Sequence, residues 1–283
     1  MTTTTTYVPA GHLGVDEPRA RFHDLVAAEW IKLRSLRSTW IAYGATAVAV
    51  VAFNTGTAYD TYNHWPQRDA ADRAGFLRDG IALQEAFTTN AAMVMMLALG
   101  ADGAVVIIGE YSTGTIRTTF AAVPARSSVM AAKTVVVLAV TTGFGVIVAG
   151  ASFGLTQAIL GRRGADVPIT YPGALTLMLA SALLAPVCAL TGMAIGSVIR
   201  RTAATMIASV VVALVLPLVF TDGRHWSAVA EHATLYQAWN RLAEVSHSPT
   251  AFPWTDGGAW TVYAVWAFTA AGLAVTSAHR RDQ

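Results

Sequence analysis

Lys32 and Lys133 are the only lysines in this chain of 283 residues, and neither follows the glycine-rich loop that cradles nucleotide phosphates. A nucleotide site is therefore excluded, and any work done with ATP belongs to another chain. Among the long apolar stretches only Asp102 is ionisable. Charges in hydrocarbon are costly and are kept for ion or proton paths, so a single carboxylate argues against proton coupling. Asp102 can face neighbouring helices structurally, snorkel, or line a substrate path. His12 and His23 precede the first apolar stretch, His64, His225, His232 and His247 fall in loops, and His279 lies near the end. They form no metalloprotease pattern and no pairing with acids. Cys188 is the only cysteine, which excludes an intramolecular disulfide and a cysteine-based metal site. Met93, Met95 and Met96 read as packing. The chain is expected to be no enzyme and to hold no cofactor.

The most informative segment is Gly109-Glu110-Tyr111-Ser112-Thr113-Gly114-Thr115-Ile116-Arg117-Thr118-Thr119-Phe120-Ala121-Ala122-Val123-Pro124-Ala125-Arg126, followed by Lys133. Its residues predict a turn at Gly114, a cap at Thr115, a short helix to about Ala122 and a break at Pro124. Ser127 can then cap the next helix. Ile116 and Phe120, four apart, share one face and suit docking in the groove of a partner protein. Glu110 would anchor the loop. The alternative is an ordinary loop.

The elements that must position these residues are membrane helices. Hydrophobic residues make up 54% of the chain and charged residues 13%, against about 25% charged in soluble domains. Crossing roughly 30 Å of hydrocarbon takes about 20 apolar residues. Six stretches qualify, near 40–59, 86–109, 134–160, 173–199, 202–221 and 258–278. Nothing alternates as barrel strands do. Pro186 and Pro217 interrupt the fourth and fifth. The expected fold is all-α and integral to the membrane, one domain over 20–283 behind a disordered tail over 1–19. Residues 1–39 lack the apolar core of a secretory signal, so the first span is expected to act as the insertion signal.

Residues 20–37 gather Phe22, Leu25, Val26, Trp30, Leu33 and Leu36 on one face at helical spacing, with Arg21, Asp24, Arg34 and Ser35 outside it. This predicts an amphipathic helix lying in the membrane interface before the first span. Glu29 falls within the apolar face. It either snorkels or pairs with Lys32, or it meets a basic group on a neighbouring element. With both termini inside, twelve of the nineteen basic residues fall on the inner side and seven outside, which favours cytoplasmic termini. Arg162 and Arg163 count against that orientation. The outer loops are then 60–85 and 222–257. Tyr59, Tyr62, Trp65, Trp226, Tyr236, Trp239, Phe252 and Trp254 suit an interfacial belt. Residues 228–245 lack glycine and proline, and would form either helices re-entering the membrane or an ordinary surface helix.

The sequence resembles the permease subunits of ABC-2 type transporters. The likeness rests on Glu29-Trp30-Ile31-Lys32-Leu33-Arg34-Ser35, continuing through Arg37-Ser38-Thr39-Trp40, and on Glu110…Gly114-Thr115-Ile116-Arg117…Pro124…Arg126…Lys133. It does not extend to 60–85 or 222–257. The resemblance implies a bacterial plasma-membrane exporter of alternating access, with 110–126 as the coupling helix that contacts a separate ATPase subunit. Glu110, Gly114, Thr115, Ile116, Arg117, Phe120 and Arg126 would form that contact, and Phe120 would be its anchor. ATP and Mg would be held by the ATPase, and the permease would pair with a second copy or a sister permease in the lipid bilayer, with no nucleic acid involved. A gradient-driven carrier and a non-transport scaffold are the alternative classes.

Overall fold

Lipid offers no hydrogen bonds to a backbone N–H or C=O, so an apolar stretch that crosses it closes those bonds within itself as a helix. In the computed structural model every regular element among the described residues, 20–123, 125–220, 224–244 and 252–280, is helical. The expected tail 1–19, the Pro124 break, Thr221, His12 and His247 lie outside them.

The order is α1 (Phe22–Ser35), α2 (Arg37–His64), α3 (Ala70–Arg78), α4 (Ile81–Gln84), α5 (Thr89–Thr113), α6 (Thr115–Ala122), α7 (Arg126–Gly161), α8 (Ala174–Ile199), α9 (Thr202–Val210), α10 (Leu216–Val219), α11 (His225–His232), α12 (Leu235–Ala243) and α13 (Asp256–Arg280). Six helical runs are long and apolar enough to cross a membrane: Arg37–Gln67, Ile81–Thr113, Arg126–Gly161, Ala174–Ile199, Thr202–Val219 and Asp256–Ser277. The protein is a multi-pass membrane protein. Its two ends are named below by the short helices they carry, the α6 end and the α3 end.

α8 is the centre, packed against α5, α7 and α13. Small residues allow this. A Cβ on Gly103 would lie 1.9 Å from the Ala189 carbonyl oxygen, and one on Gly192 1.8 Å from that of Gly100, so α5 and α8 touch backbone to backbone. α2 shows the inversion expected in lipid. Its buried stripe carries Thr39, Tyr43, Thr46, Asn54 and Thr61, while Ile41, Val48 and Phe53 face outward.

The first span runs to both sides of its predicted limits, and α7 starts at Arg126 rather than 134. At 36 residues α7 is about 54 Å long. Its first turns therefore stand beyond the hydrocarbon. The fifth span is broken by a π-helical turn over Val211–Val215, where the Leu216 N–H reaches the Val211 carbonyl five residues back, just before Pro217. Pro217 has no N–H for the regular ladder, and the wider turn takes up the mismatch. Pro186, by contrast, sits inside an unbroken α8.

Two expected caps are corrected. Gly114, at φ 73°, is both the C-cap of α5 and the N-cap of α6, so Thr115 is the first helical residue and not the cap. A single left-handed residue makes the whole turn there, which glycine does without strain. α7 opens after Ala125, and Ser127 lies within its first turn without a capping bond.

In the α11–α12 hairpin, α12 packs against α8 and α13, while α11 keeps Trp226 and Val229 exposed. The turn carbonyl of the hairpin, Ala233, accepts from Trp266 Nε1 at 2.8 Å. Trp266 lies ten residues into α13, about 15 Å along it. Trp239 Nε1 donates to Ser181 Oγ at 3.1 Å, fixing α12 to α8.

Candidate functional site

α1 lies against α7 and turns Leu25, Val26, Glu29, Lys32 and Leu33 inward, while Phe22, Trp30 and Leu36 stay exposed. Arg34 is also exposed, and its carbonyl accepts from Trp40 Nε1 at 3.3 Å, which braces the turn into α2. Glu29 does both of the things open to it. Its Oε1 accepts from Lys32 Nζ at 2.8 Å, and its Oε2 accepts from Lys133 Nζ on α7.

Glu110, near the end of α5, completes the group. Its Oε1 accepts from Lys32 Nζ at 2.7 Å and from Lys133 Nζ at 2.8 Å. Two ammonium and two carboxylate groups thus form a closed, neutral ring joining α1, α5 and α7. Both lysines of the chain are spent on it. The Lys133 side chain is 3% exposed, that of Glu29 7% and that of Glu110 10%, whereas Lys32 is 40% exposed. Burial works against the Lys32 charge, but hydrogen bonds and attraction from Glu110 and Glu29 outweigh it and hold its pKa above the usual lysine value.

α6 follows Glu110 directly. Here the sequence expectation needs correction, because Ile116 is 5% exposed and turned into the chain. Phe120 is half-buried, with the Arg126 guanidinium 5.4 Å from its ring centre. The apolar face inferred from the i,i+4 spacing holds α6 to its own protein. Thr115, Arg117, Thr118, Ala121 and Ala122 are what α6 presents outward. Thr115 Oγ1 lies 2.9 Å from Thr113 Oγ1 across the Gly114 turn.

Asp102 is not part of this site. It sits eleven residues from the end of α5, about 16 Å away along the axis, and its Oδ2 accepts from Tyr43 Oη on α2 at 2.7 Å. Sequence reasoning missed Lys133 as a site residue, although its position at the start of an apolar helix marked it as a charge needing a partner. It also missed Tyr43, for which no local signal existed.

A family model described as ABC-2 family transporter protein matches residues 25–219. The chain belongs to the ABC-2 transporter family. No curated protein matches it. The matched stretch of this ABC-2 protein runs from α1 to the end of the fifth span and contains Glu29, Lys32, Glu110, Lys133 and all of α6. The α11–α12 hairpin and α13 fall beyond it. ABC-2 proteins are membrane transport subunits that work with an ATPase partner, and this chain carries no glycine-rich phosphate loop of its own.

Proposed function

We propose that this chain is the permease subunit of an ATP-driven bacterial exporter, set in the plasma membrane with both termini and the α6 end in the cytoplasm. A separate ATPase, holding ATP and Mg, engages the outward face of α6. A second permease, identical or a sister chain, completes the pathway. The observation that carries the reading is the placement of the buried ring directly behind α6. A push on α6 reaches Glu110 within a few residues, and Glu110 is tied through Lys133 and Lys32 to α7 and α1. Rigid contacts of this kind move three elements together. Asp102, bonded to Tyr43, serves the α2–α5 contact in this reading.

Since Ile116 is used internally, contact with the ATPase falls to Arg117, Thr118, Ala121 and Ala122, with Phe120 and Arg126 supporting them from beneath. Replacing Arg117 by Glu and Ala121 by Arg should weaken co-purification of the ATPase by at least about tenfold, about 1.4 kcal/mol. The permease itself should remain assembled, because both positions are exposed. Pull-down, ATPase rate and export are measured on the same membranes. If all three stay at wild-type levels, α6 is not the coupling element.

A further inference from the structure

Between α1, α2 and α7 the chain leaves a groove of about 740 Å³, walled by Val26 and Trp30 of α1, Trp40 and Gly44 of α2, and α7 from Val135 to Ile147. Glycine keeps it open. A Cβ on Gly44 or on Gly143, which also lines the groove, would meet nothing within 4 Å, in contrast to Gly103 and Gly192, through which α5 and α8 touch. Glycine weakens a helix relative to alanine, and at these two positions no close helix contact offsets that. Water is absent at this depth, and an empty groove would forfeit the dispersion contacts of its walls, so something apolar fills it. Length decides between an acyl chain and a helix of a second copy. Val135 and Ile147 stand twelve positions apart on α7, about 18 Å, which is close to half of the roughly 30 Å of hydrocarbon that a spanning helix has to cross. Glu29 on Lys133 fixes α1 across α7 two residues before Val135, so α1 closes that end of the groove to a helix running on. Trp30 and Trp40 stand exposed at the same end, as tryptophans at the headgroup level do. Arg34 lies one turn beyond Trp30 on α1, and Arg37 one turn before Trp40 on α2. Both arginines are exposed, and neither is in an ion pair among the described residues. Trp40 ties the groove wall to Arg34 through its bond to the Arg34 carbonyl.

We propose that this groove holds one acyl chain of an anionic phospholipid, whose phosphate is taken by Arg34 and Arg37 where α1 turns into α2. The chain exchanges one apolar surrounding for another, so it contributes fit and little preference. The preference comes from the headgroup. A guanidinium fork matches phosphate oxygens with paired hydrogen bonds, and two guanidiniums beside one phosphate favour a lipid of net negative charge over a zwitterionic one. The site depends neither on an ATPase nor on the direction of transport.

The test uses the full chain, without ATPase, in phosphatidylcholine nanodiscs that contain a small fraction of either phosphatidylglycerol or phosphatidylcholine with a photoactivatable diazirine in one acyl chain. Labelled peptides are mapped by mass spectrometry. The phosphatidylglycerol probe should label 44–47 and 135–147 about tenfold more densely than the exposed face of α13 around Phe268, and the phosphatidylcholine probe should show little such excess. Gly143→Leu, which fills the groove, should bring its labelling down to that of α13. Arg34→Gln together with Arg37→Gln should bring phosphatidylglycerol down to phosphatidylcholine. These variants alter exposed positions and should unfold in detergent as the wild type does. Arg78→Gln, at the far end beside Asp79, should change nothing. Groove and α13 labelled alike by both probes would make the lipid there ordinary bilayer and overturn the proposal, as would a phosphatidylglycerol excess that survives the loss of both arginines. A groove left unlabelled by both probes also overturns it, and Val135→Cys in a Cys188→Ala chain then linking one chain to another would assign the groove to a second copy.

Discussion

The two ends of the bundle are held together by different chemistry. At the α6 end, three helices meet through four charges, the buried Glu29, Glu110 and Lys133 and the partly exposed Lys32. At the α3 end the contacts among α2, α5 and α7 are hydrogen bonds between neutral groups, and the buried carboxylate there, Glu85, accepts from the neutral Thr61 Oγ1 at 2.6 Å. Asn54 of α2 donates to Ser152 Oγ of α7 at 3.0 Å and accepts from the Thr88 N–H and hydroxyl, both at 2.9 Å, at the cap of α5. Gln157 donates to the Ala82 carbonyl and accepts from the Val167 N–H, both at 2.8 Å. Two cations there lie on rings, Arg68 over Phe76 at 4.9 Å and Arg163 over Tyr62 at 4.3 Å, while Arg241 of α12 pairs with Asp256 of α13 at 3.2 Å. Arg163 counted against the proposed orientation in sequence, and its ring contact shows how a charge on that side is accommodated. Neutral hydrogen bonds are short-ranged and fix one geometry. A ring of charges keeps attraction over several ångströms, so its helices can shift against each other without losing the contact. Under the proposed reading the α6 end is the one that moves and the α3 end the one that stays closed.

The largest effect should come from breaking the charged end. Lys133→Met leaves Glu29 and Glu110 with only Lys32 between them, and a buried charge stripped of its partner costs about 3–5 kcal/mol. Thermal unfolding of the detergent-solubilised chain should shift down markedly, and assembled protein in membranes should fall. Adding Glu110→Gln to Lys133→Met restores neutrality, leaving Glu29 with Lys32, and should recover much of the loss. A double variant no more stable than Lys133→Met alone would mean that the four groups do not act as one ring.

The neutral end should respond less. Asn54→Leu removes three hydrogen bonds and leaves the Thr88 N–H and Ser152 hydroxyl without that partner, a loss of about 2 kcal/mol. The difference in kind matters more than the size. Asn54→Leu should lower thermal stability while the ATP hydrolysed per substrate exported stays unchanged, because the proposed coupling runs through the α6 end. An Asn54→Leu protein that is as stable as wild type but uncoupled would reverse the roles given to the two ends.

The elements behind this contrast were partly visible in sequence, and the contacts that make it were hidden for physical reasons. The six spans were legible because lipid demands length and apolarity, and both are local properties. Their limits were not, since nothing stops α7 from continuing as helix back to Arg126 in the headgroup region. Glu29 stood out because a carboxylate at helical spacing within an apolar face needs a partner. That the partner is Lys133, 104 positions away, has no local signature. The pair Ile116 and Phe120 showed that α6 has an apolar face, but spacing does not say whether such a face meets another protein or its own. Absence of glycine and proline over 228–245 indicated helix, yet the depth of the hairpin is set by Trp239 on Ser181 and by Trp266 on Ala233. Those are tertiary bonds.

The smallest effect on stability should come from Lys32, and that makes it the sharpest test of what the ring is for. Lys32 is the one member of the four whose side chain is 40% exposed. Water screens its pairs, so Lys32→Gln should cost no more than about 1 kcal/mol. Its folded-state pKa lies above the ordinary lysine value, because Glu110 and Glu29 outweigh the effect of burial. The stability it contributes is therefore fully present below the unfolded lysine value and is lost only as pH rises through the higher folded one. Through the neutral range its pairing is constant, and no pH dependence of unfolding should trace to it. Glu29 ties α1 to α7 through Lys133 from a buried position, whereas Lys32 ties α1 to α5 through Glu110 from a position that water screens. Glu29→Gln should thus reduce export more than Lys32→Gln, even when both chains are solubilised and recovered in equal amount. Export is to be compared per assembled permease, with ATPase rate measured in parallel. Loss of export at undiminished ATPase rate in Glu29→Gln, with near-normal export in Lys32→Gln, is the expected result. Equal and mild effects would reduce Glu29 to a local pair with Lys32 and leave α1 as an anchor that takes no part in coupling.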